Sequence, residues 1–326
     1  MENKPEFKID VKDRKILYEL DRDSRQSASQ IARKTQLSKN SVIYRIEQMK
    51  KEGIIKHFYT VIDSGKLGYI SFRLYINLMN ATLKKEQEII NFLKSSKIVT
   101  WLASTDGKYN IGAVGFTKNL YEINDLWDKL LEKYVNYFGE RLITLNIRST
   151  HFSRAYLIGG SKNVYELITA NSLDAAKMDK TDQELIHILT ENARMPVIEI
   201  AQKLRVTEKT VISRIKNLEK KGIIIAYRTI LDRDKIGYRY FKVSFILTSL
   251  TKEKSKEFQE YIRSHPNIIC REETLGGDDF EIDLEVKNIK ELREVIADIR
   301  EKFGEIIVDY QILHIYEEHK NLFFHP

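Results

Sequence analysis

The apolar residues of this chain follow two patterns, one typical of helices and one typical of strands. After Ser38, apolar side chains recur every three to four residues, at Val42, Ile46 and Met49, which predicts a helix with one buried face. From about Gly68 the pattern changes to short apolar runs separated by amphipathic helical segments. The order predicted there is β-α-β-β-α-β, the ferredoxin-like arrangement.

Both patterns occur twice, at a constant separation. Residues 10–74 align with residues 179–243 without a gap, and 21 of those 65 positions are identical. A period of this length indicates a duplicated multi-domain unit, because solenoid repeats run to about 20–50 residues. The predicted fold class is therefore α+β, a tandem duplication of a winged helix-turn-helix domain followed by a ferredoxin-like βαββαβ domain.

The repeat also predicts the domain boundaries. We expect a first winged helix-turn-helix domain, a first βαββαβ domain, a linker, a second winged helix-turn-helix domain and a second βαββαβ domain. Their predicted ranges are 1–62, 63–157, 158–177, 178–231 and 232–326. One or two helical turns are expected within the linker, over NVYELITAN at residues 163–171.

Local signals mark the last helix of each helix-turn-helix. Ser38 and Thr207 are suitable N-cap residues, and Gly53 and Gly222 are suitable residues just beyond the C-terminus. A four-residue turn at 35–38 precedes the first of these helices. Three short helices with such a turn before the third predict a helix-turn-helix.

The composition of the chain limits the kinds of molecule it can bind and the kinds of protein it can be. The formal charge of +7 and the sequence pI near 9.1 suit a polyanion. Cys270 is the single cysteine, so an intrachain disulfide is excluded, and we expect it within a strand. No apolar run approaches the roughly 20 residues that span a bilayer, so we expect a cytoplasmic protein. Residues 271–309 hold 13 acids against six bases, which is typical of a solvated outer face.

Residue patterns typical of catalysis are scarce. The seven histidines are scattered, and none has zinc-binding spacing with cysteine or carboxylate residues. There is neither a phosphate-binding glycine loop nor a Gly-x-Ser-x-Gly sequence. The sequence therefore predicts no enzyme, no metal site and no cofactor.

The helix-turn-helix sequences are QIARKTQLSKNSVIYRIEQMKKEGIIKHFYTVID and EIAQKLRVTEKTVISRIKNLEKKGIIIAYRTILD. Each follows an acidic and apolar opening, IDVKDRKILYEL or MDKTDQELIHIL, and leads to Lys66-Leu67-Gly68 or Lys235-Ile236-Gly237. In this order the sequences resemble the leucine-responsive/asparagine-responsive (Lrp/AsnC) family of transcription regulators, over nearly the whole chain apart from the linker. The resemblance implies a regulator that binds double-stranded DNA, responds to an amino acid and self-associates through its βαββαβ domains. The two sheets of one chain are expected to pack face to face.

The third helix of each helix-turn-helix is the expected recognition helix, because such a helix fits the major groove. Ile43 is expected in the core with Val42, Ile46 and Met49. Predicted base contacts come from Asn40, Tyr44, Arg45, Lys209, Ser213 and Arg214, predicted phosphate contacts from Lys39, Lys50, Lys51, Lys220 and Lys221, and further outward-facing residues are Ser41, Gln48, Thr210 and Asn217.

The two recognition helices differ at their predicted outward positions, for example Asn40 against Lys209 and Tyr44 against Ser213. We therefore expect an asymmetric pair of half-sites and not a palindrome. The alternative is that both helices contact only phosphates and read DNA shape.

The resemblance also implies an effector site, because the family carries Gly-x-Tyr-Asp near its amino-acid ligand. The corresponding residues are Asp106, Gly107, Tyr109 and Asn110 in the first copy, and Gly276, Gly277, Asp278, Asp279 and Glu281 in the second. An amide replaces the acid in the first copy, and the second has one extra residue. An acid suits a ligand ammonium group, whereas the alternative is a turn with solvated acids.

Two other functions remain open. Haem-pathway (siroheme-type) tetrapyrrole decarboxylases resemble the same family and also occur fused. The resemblance implies His and Arg residues near 63–69 that grip propionates, and only His57 is near. The second alternative is a regulator that binds effectors or proteins while its DNA-binding helices are degenerate.

Overall fold

The structure is a computed structural model that describes residues 8–163, 165–170, 175–248 and 251–322. Its helices are α1 (Val11–Arg22), α2 (Ala28–Thr35), α3 (Lys39–Lys51), α4 (Leu83–Ser95), α5 (Leu120–Tyr134), α6 (Lys180–Glu191), α7 (Val197–Leu204), α8 (Glu208–Lys220), α9 (Lys252–Ser264) and α10 (Ile289–Phe303). Its strands are β1 (Ile55–Ile62), β2 (Ile70–Leu78), β3 (Val99–Gly107), β4 (Ile111–Thr117), β5 (Phe138–Phe152), β6 (Glu166–Ala170), β7 (Ile224–Leu231), β8 (Arg239–Leu247), β9 (Ile268–Leu275), β10 (Phe280–Val286) and β11 (Ile307–Asn321). The α+β class is confirmed.

The three helices at the start of each half form as their sequences predict. The Ser38 hydroxyl accepts a hydrogen bond from the Ser41 amide at 3.1 Å, and Thr207 does the same for Thr210 at 3.2 Å, so both α3 and α8 have a side-chain N-cap. Gly53 follows α3 with a φ of +68°, a left-handed conformation that favours glycine.

Ile43 was predicted to lie in the helical core, and this prediction is wrong. Val42, Ile46 and Met49 are buried, but Ile43 is 43% exposed. At 100° per residue Ile43 lies well off the buried stripe of α3, so its apolar character alone gave the wrong prediction.

β1 and β7 pair with each other, and eight of the other nine strands form one closed sheet. The strand order is β5-β2-β4-β3 in the first half and β11-β8-β10-β9 in the second. β3 pairs with β11 and β5 pairs with β9, both antiparallel, so eight strands close into a ring. The two half-sheets therefore join along their edges. The sequence predicted that the sheets pack face to face but did not predict this edge pairing.

The two faces of this ring differ in polarity. Phe72, Leu74 and Ile76 of β2 point outward into a core with α4 and α5, while Arg73 and Tyr75 line a cavity inside the ring. In β10, Ile282 and Leu284 lie in the corresponding outer core of the second half, under α9 and α10.

The acids of β10 are buried, although residues 271–309 were predicted to form a solvated outer face. Glu281, Asp283 and Glu285 are each at most 7% exposed and are held by basic side chains from other parts of the chain, so the prediction of a solvated face is wrong for them. Alternating acids and apolar residues normally indicate a strand with one wet face. Here ring closure buries both faces.

The helical turns expected within 163–171 are also wrong for the described residues. Residues 166–170 form β6, which pairs antiparallel with β5. The exposed edge of β5 offers hydrogen bonds that a helix would leave unmade. Residues 164 and 171–174 of the predicted linker lie outside the described residues.

Candidate nucleic-acid interface

Both recognition helices present long polar faces to solvent. Among the predicted DNA-contacting residues, those that are exposed are Lys39, Asn40, Tyr44, Lys50, Lys51, Lys209, Ser213, Asn217, Lys220 and Lys221, and those that are partly buried are Ser41, Arg45, Gln48, Thr210 and Arg214. The predicted residues therefore share two continuous surfaces, one on α3 and one on α8.

Arg45 and its counterpart Arg214 have intrachain partners. The Arg45 guanidinium lies 2.7 Å from a carboxylate oxygen of Asp13 and 3.0 Å from one of Asp10. The hydrogen bond to Asp13 raises the pKa of Arg45 above its usual range. These contacts tie the recognition helix to the N-terminus of α1 and give Arg45 a role in positioning that helix; its contact with DNA stays a prediction.

The second half repeats this arrangement. Arg214 lies 2.7 Å from Asp182 and 2.8 Å from Asp179, and the bond to Asp182 raises its pKa. The conserved spacing between the two copies thus reflects a structural clamp. Arg214 has the same positioning role, and its contact with DNA likewise stays a prediction.

The two winged helix-turn-helix domains are interlocked. β1 pairs with β7 antiparallel, and Thr60 lies opposite Tyr227. Arg25 donates to the carbonyl oxygen of Ala193 at 2.5 Å, and Arg194 donates to that of Gln26 at 3.1 Å. Each domain therefore completes the turn between α1 and α2, or α6 and α7, of the other.

The C-termini of both recognition helices are held across the same interface. The Lys235 ammonium donates to the carbonyl oxygen of Glu52, and the Lys66 ammonium to that of Lys221, both at 2.7 Å. A side chain on Gly53 would place its Cβ only 2.9 Å from Lys235 Nζ. The glycines after α3 and α8 thus serve both the turn and the approach of the lysine.

A buried ionic cluster joins the first winged domain to the ring. The Asp21 carboxylate is fully buried and accepts from Arg228 at 2.6 Å and from Arg154. Arg154 also contacts Glu285 at 2.8 Å, which in turn accepts from Arg233 at 2.7 Å. Burial alone would raise the pKa of Glu285, but Arg154 and Arg233 outweigh it and lower that pKa to about 2.

This cluster borders the cavity inside the ring, whose volume is about 210 Å³. The basic side chains that line it are Arg73, Arg154, Arg228, Arg233 and Lys242. Each forms an ion pair with a carboxylate, as Arg73 does with Glu272 and Glu281 at 2.6 Å. No guanidinium of this lining is therefore left without a carboxylate partner.

A further group of side chains in this cavity has ligand chemistry. Ligand atoms of Cys270, Glu272 and Asp283 lie within 4.8 Å of one another. Glu272 is paired with Arg73, and Asp283 with Lys242 at 2.7 Å. The positive charges of Arg73 and Lys242 would repel a metal cation at this place.

The loops expected to hold an effector are occupied by contacts within the chain. In the first, Tyr109 is buried against Tyr75 with ring centroids 5.4 Å apart, and the Asn110 side-chain oxygen accepts from the Leu78 amide at 2.7 Å. A Cβ on Gly107 would lie 2.3 Å from the carbonyl oxygen of Ile312. Asp106 is exposed.

The second loop has similar contacts. Asp278 accepts from the Ser244 hydroxyl, and Asp279 accepts from the Leu247 amide at 2.8 Å. Gly276 and Gly277 both have positive φ, and a Cβ on Gly277 would lie 3.1 Å from Thr144 of the other half. These glycines thus serve the packing between halves.

The buried ionic cluster was not predicted from the sequence. Asp21 stands where the second copy has Thr190, and Arg228 where the first has Tyr59. Such charged residues within apolar strand and helix patterns were the available signal. They indicate buried partners, although the sequence does not say which.

Similarity to known proteins agrees with the geometry of the helix-turn-helix domains. Residues 9–56 match a family described as winged helix-turn-helix DNA-binding, and residues 178–219 match the AsnC-type helix-turn-helix domain. The proline dehydrogenase transcriptional activator of Rhodobacter capsulatus is 29% identical over 122 residues, which are 37% of this chain and 79% of that protein. The HTH-type transcriptional regulator LrpA of Pyrococcus horikoshii is 38% identical over 91 residues, 26% of this chain and 64% of that protein.

Two solved structures of one protein are similar over almost the full length of this chain. The siroheme decarboxylase NirDL superposes with a TM-score of 0.63, at 15% identity, over 95% of this chain and 93% of that one. At this identity the similarity describes the fold. No helix among the described residues is long and apolar enough to cross a membrane.

The fold and the exposed helices define a protein with two winged helix-turn-helix domains carried on one closed β-sheet. By sequence it is similar to members of the Lrp/AsnC family of transcription regulators, as its motifs predict.

Proposed function

We propose that the chain is a sequence-specific DNA-binding transcription regulator that acts in the cytoplasm as an intrachain pseudo-dimer. It combines two copies of a winged helix-turn-helix plus ferredoxin-like unit. The observation that carries the proposal is the pair of exposed polar faces on α3 and α8. Both helices are fixed at their centres by Arg45 and Arg214 and at their C-termini by Lys235 and Lys66.

Fixed, exposed helices are suited to the major groove, because a preorganised surface binds without first being ordered. Because aspartates hold Arg45 and Arg214, we assign these two residues to helix positioning. The other predicted base contacts come from Asn40, Tyr44, Lys209 and Ser213, with phosphate contacts from Lys39, Lys51 and neighbouring lysines. These assignments are predictions.

Fluorescence anisotropy tests the proposal directly. The wild-type chain is titrated with DNA from upstream of its own gene and with a scrambled duplex, across salt concentrations. We expect the first duplex to bind at least a hundredfold more tightly, with affinity that falls as salt rises. Equal, weak binding to that duplex, to the scramble and to the best duplex selected from a random pool would contradict sequence-specific binding.

The unequal recognition helices support an asymmetric DNA site. Asn40 and Lys209 occupy equivalent exposed positions, as do Tyr44 and Ser213. A selected site should therefore bind more tightly than either perfect palindrome built from its halves. Equal affinity for the better palindrome, measured by footprinting, would contradict the asymmetry.

Tetrapyrrole decarboxylation is the second candidate, favoured by the whole-chain fold similarity to NirDL and by the arginine-lined cavity. Two features oppose it. The volume of about 210 Å³ is below the ~300–1,000 Å³ of typical small-molecule sites, and the arginines already hold carboxylates. A stoichiometric shift of the Soret band on adding an iron tetrapyrrole would favour the decarboxylase function. An unchanged spectrum would favour the transcription regulator.

Amino-acid response and association between chains stay predictions. Calorimetry against the twenty amino acids at millimolar concentration tests the first. Sedimentation across chain concentrations tests the second. Heat that disappears in Asp106→Ala would place an effector at the first loop.

A further inference from the structure

The two recognition helices differ most where each faces away from its own core. On α3 these positions are Asn40, Tyr44, Glu47 and Lys51, and on α8 they are Lys209, Ser213, Lys216 and Lys220. Both sets follow the spacing i, i+4, i+7, i+11 of one helical face, and every member is exposed. We name them the outer faces of α3 and α8.

The outer face of α3 carries no net charge. Glu47 balances Lys51, and the Glu47 carboxylate also contacts Lys50 at 3.1 Å. What remains at its centre is the amide of Asn40 and the ring of Tyr44, which is 65% exposed. Side-chain amides can pair with the edge of a base, as Asn does with adenine.

The outer face of α8 carries three positive charges and no acid. Within the described part of the chain, Lys209, Lys216 and Lys220 make no ion pair, so their ammonium groups are available to an anion. Its acids are displaced to the flank, at Glu208 and Glu219, where α3 instead has Lys39 and Lys50.

We infer that the two helices divide the work of DNA binding unequally, α8 supplying the larger share of the electrostatic affinity for phosphates and α3 the larger share of the discrimination between bases. In this division Lys209 contacts phosphate, and Ser213 is the base contact left on α8. This rests on the proposed function. Phosphate contacts release counterions and act on any sequence, whereas contacts to base edges carry the specificity. A chain organised in this way discriminates mainly at the half-site under α3 and binds the half-site under α8 mainly through its phosphates.

The first test neutralises the outer face of α8. The triple variant Lys209→Ala, Lys216→Ala, Lys220→Ala is compared with the wild-type chain on its best selected duplex and on a scramble. Each phosphate contact contributes about 0.9 to the slope of log affinity against log salt, so the slope should fall by about 2–3. Both duplexes should weaken by the same factor, which keeps their affinity ratio within about threefold.

A matched control removes the same charge elsewhere. The variant Lys84→Ala, Lys129→Ala, Lys290→Ala takes three exposed lysines from α4, α5 and α10. Its salt slope should equal that of the wild-type chain. An equal fall in slope in this control would assign the effect to net charge and overturn the role of α8.

The complementary variant, Asn40→Ala with Tyr44→Ala, should reduce the affinity ratio at least tenfold and leave the salt slope unchanged. The inference is overturned if the triple lysine variant loses as much discrimination as this one, because the lysines would then read bases. It is also overturned if the Asn40 and Tyr44 variant keeps full discrimination. Failure of the proposed function is distinct, since the wild-type chain would then show no preferred duplex.

Discussion

Replacing Asp21 by Asn tests the buried cluster that joins the first winged domain to the ring. The substitution keeps the shape of the side chain and removes its charge. Arg228 would then have only neutral acceptors at this place, the new amide oxygen and the carbonyl oxygen of Phe152 at 3.2 Å, while Arg154 would keep Glu285. One buried guanidinium is thus left without a counter-charge.

Breaking a buried ion pair by removing one partner typically costs about 3–5 kcal/mol. We expect Asp21→Asn to lower the free energy of unfolding by about 3 kcal/mol, near the lower limit, because Arg154 retains its second carboxylate. The chain supplies its own control, since Thr190 occupies the equivalent place in the second half. Thr190→Ala removes one hydrogen bond, at 2.8 Å to His187, and should cost about 1 kcal/mol.

A second variant separates charge imbalance from general disruption. Removing both charges, as Asp21→Asn with Arg228→Met, should recover stability to within about 1 kcal/mol of the wild-type chain. Urea unfolding followed by fluorescence of Trp101 and Trp127 and by circular dichroism measures all four proteins, and agreement of the two probes checks for a single transition. The reasoning fails if Asp21→Asn costs less than 1 kcal/mol, or if the double variant is as unstable as the single one.

Three further predictions concern pH, the arginine clamps and the glycine loops. Burial lowers the pKa of His151 and of His265 to about 4, from a usual 6.5, so both are neutral in the fold and the unfolded chain takes up protons first. The contribution of these neutral histidines to the free energy of unfolding should be fully present above pH 6.5 and fall towards pH 4, by up to about 1.4 kcal/mol per pH unit for each histidine. In the double variant His151→Gln with His265→Gln, the free energy from urea unfolding should depend less on pH. Arg45→Ala should destabilise the chain by about 1–3 kcal/mol and weaken cognate and scrambled duplexes equally in anisotropy; a tenfold loss of discrimination would restore its base-reading role. Gly107→Ala should lower the melting temperature more than Gly68→Ala, because its Cβ meets the Ile312 carbonyl oxygen at 2.3 Å whereas that of Gly68 has nothing within 4 Å; equal scanning-fluorimetry shifts would contradict this.

The sequence predicted the winged helix-turn-helix elements well because their signals are local. Ser38 and Thr207 cap the recognition helices, and the buried stripe of Val42, Ile46 and Met49 needs only helical spacing. Ile43 failed, since its exposure depends on which neighbouring element covers that side of α3. Apolar character alone does not carry this information.

The intrachain partners of the charged residues were not predicted. The role of a charged side chain depends on which group it pairs with, and that group can be distant in sequence. Arg45 and Arg214 look like DNA contacts in isolation, but their partners Asp13 and Asp182 lie 32 residues earlier. The partners of Asp21 are farther still, with Arg228 at a separation of 207 residues. Sequence spacing does not bring such residues together until the ring has closed.

The reciprocal contacts of Arg25 and Arg194 have a consequence for dosage. In a protein assembled from separate subunits, the fraction of complete assemblies falls with dilution. Here the two halves share one chain, and a tether of this kind holds them at an effective concentration on the order of millimolar. Occupancy of a DNA site should therefore vary in simple proportion to copy number at low abundance. Subunits of related regulators also cannot be exchanged into the pair, so α3 and α8 always meet DNA together in a fixed one-to-one combination.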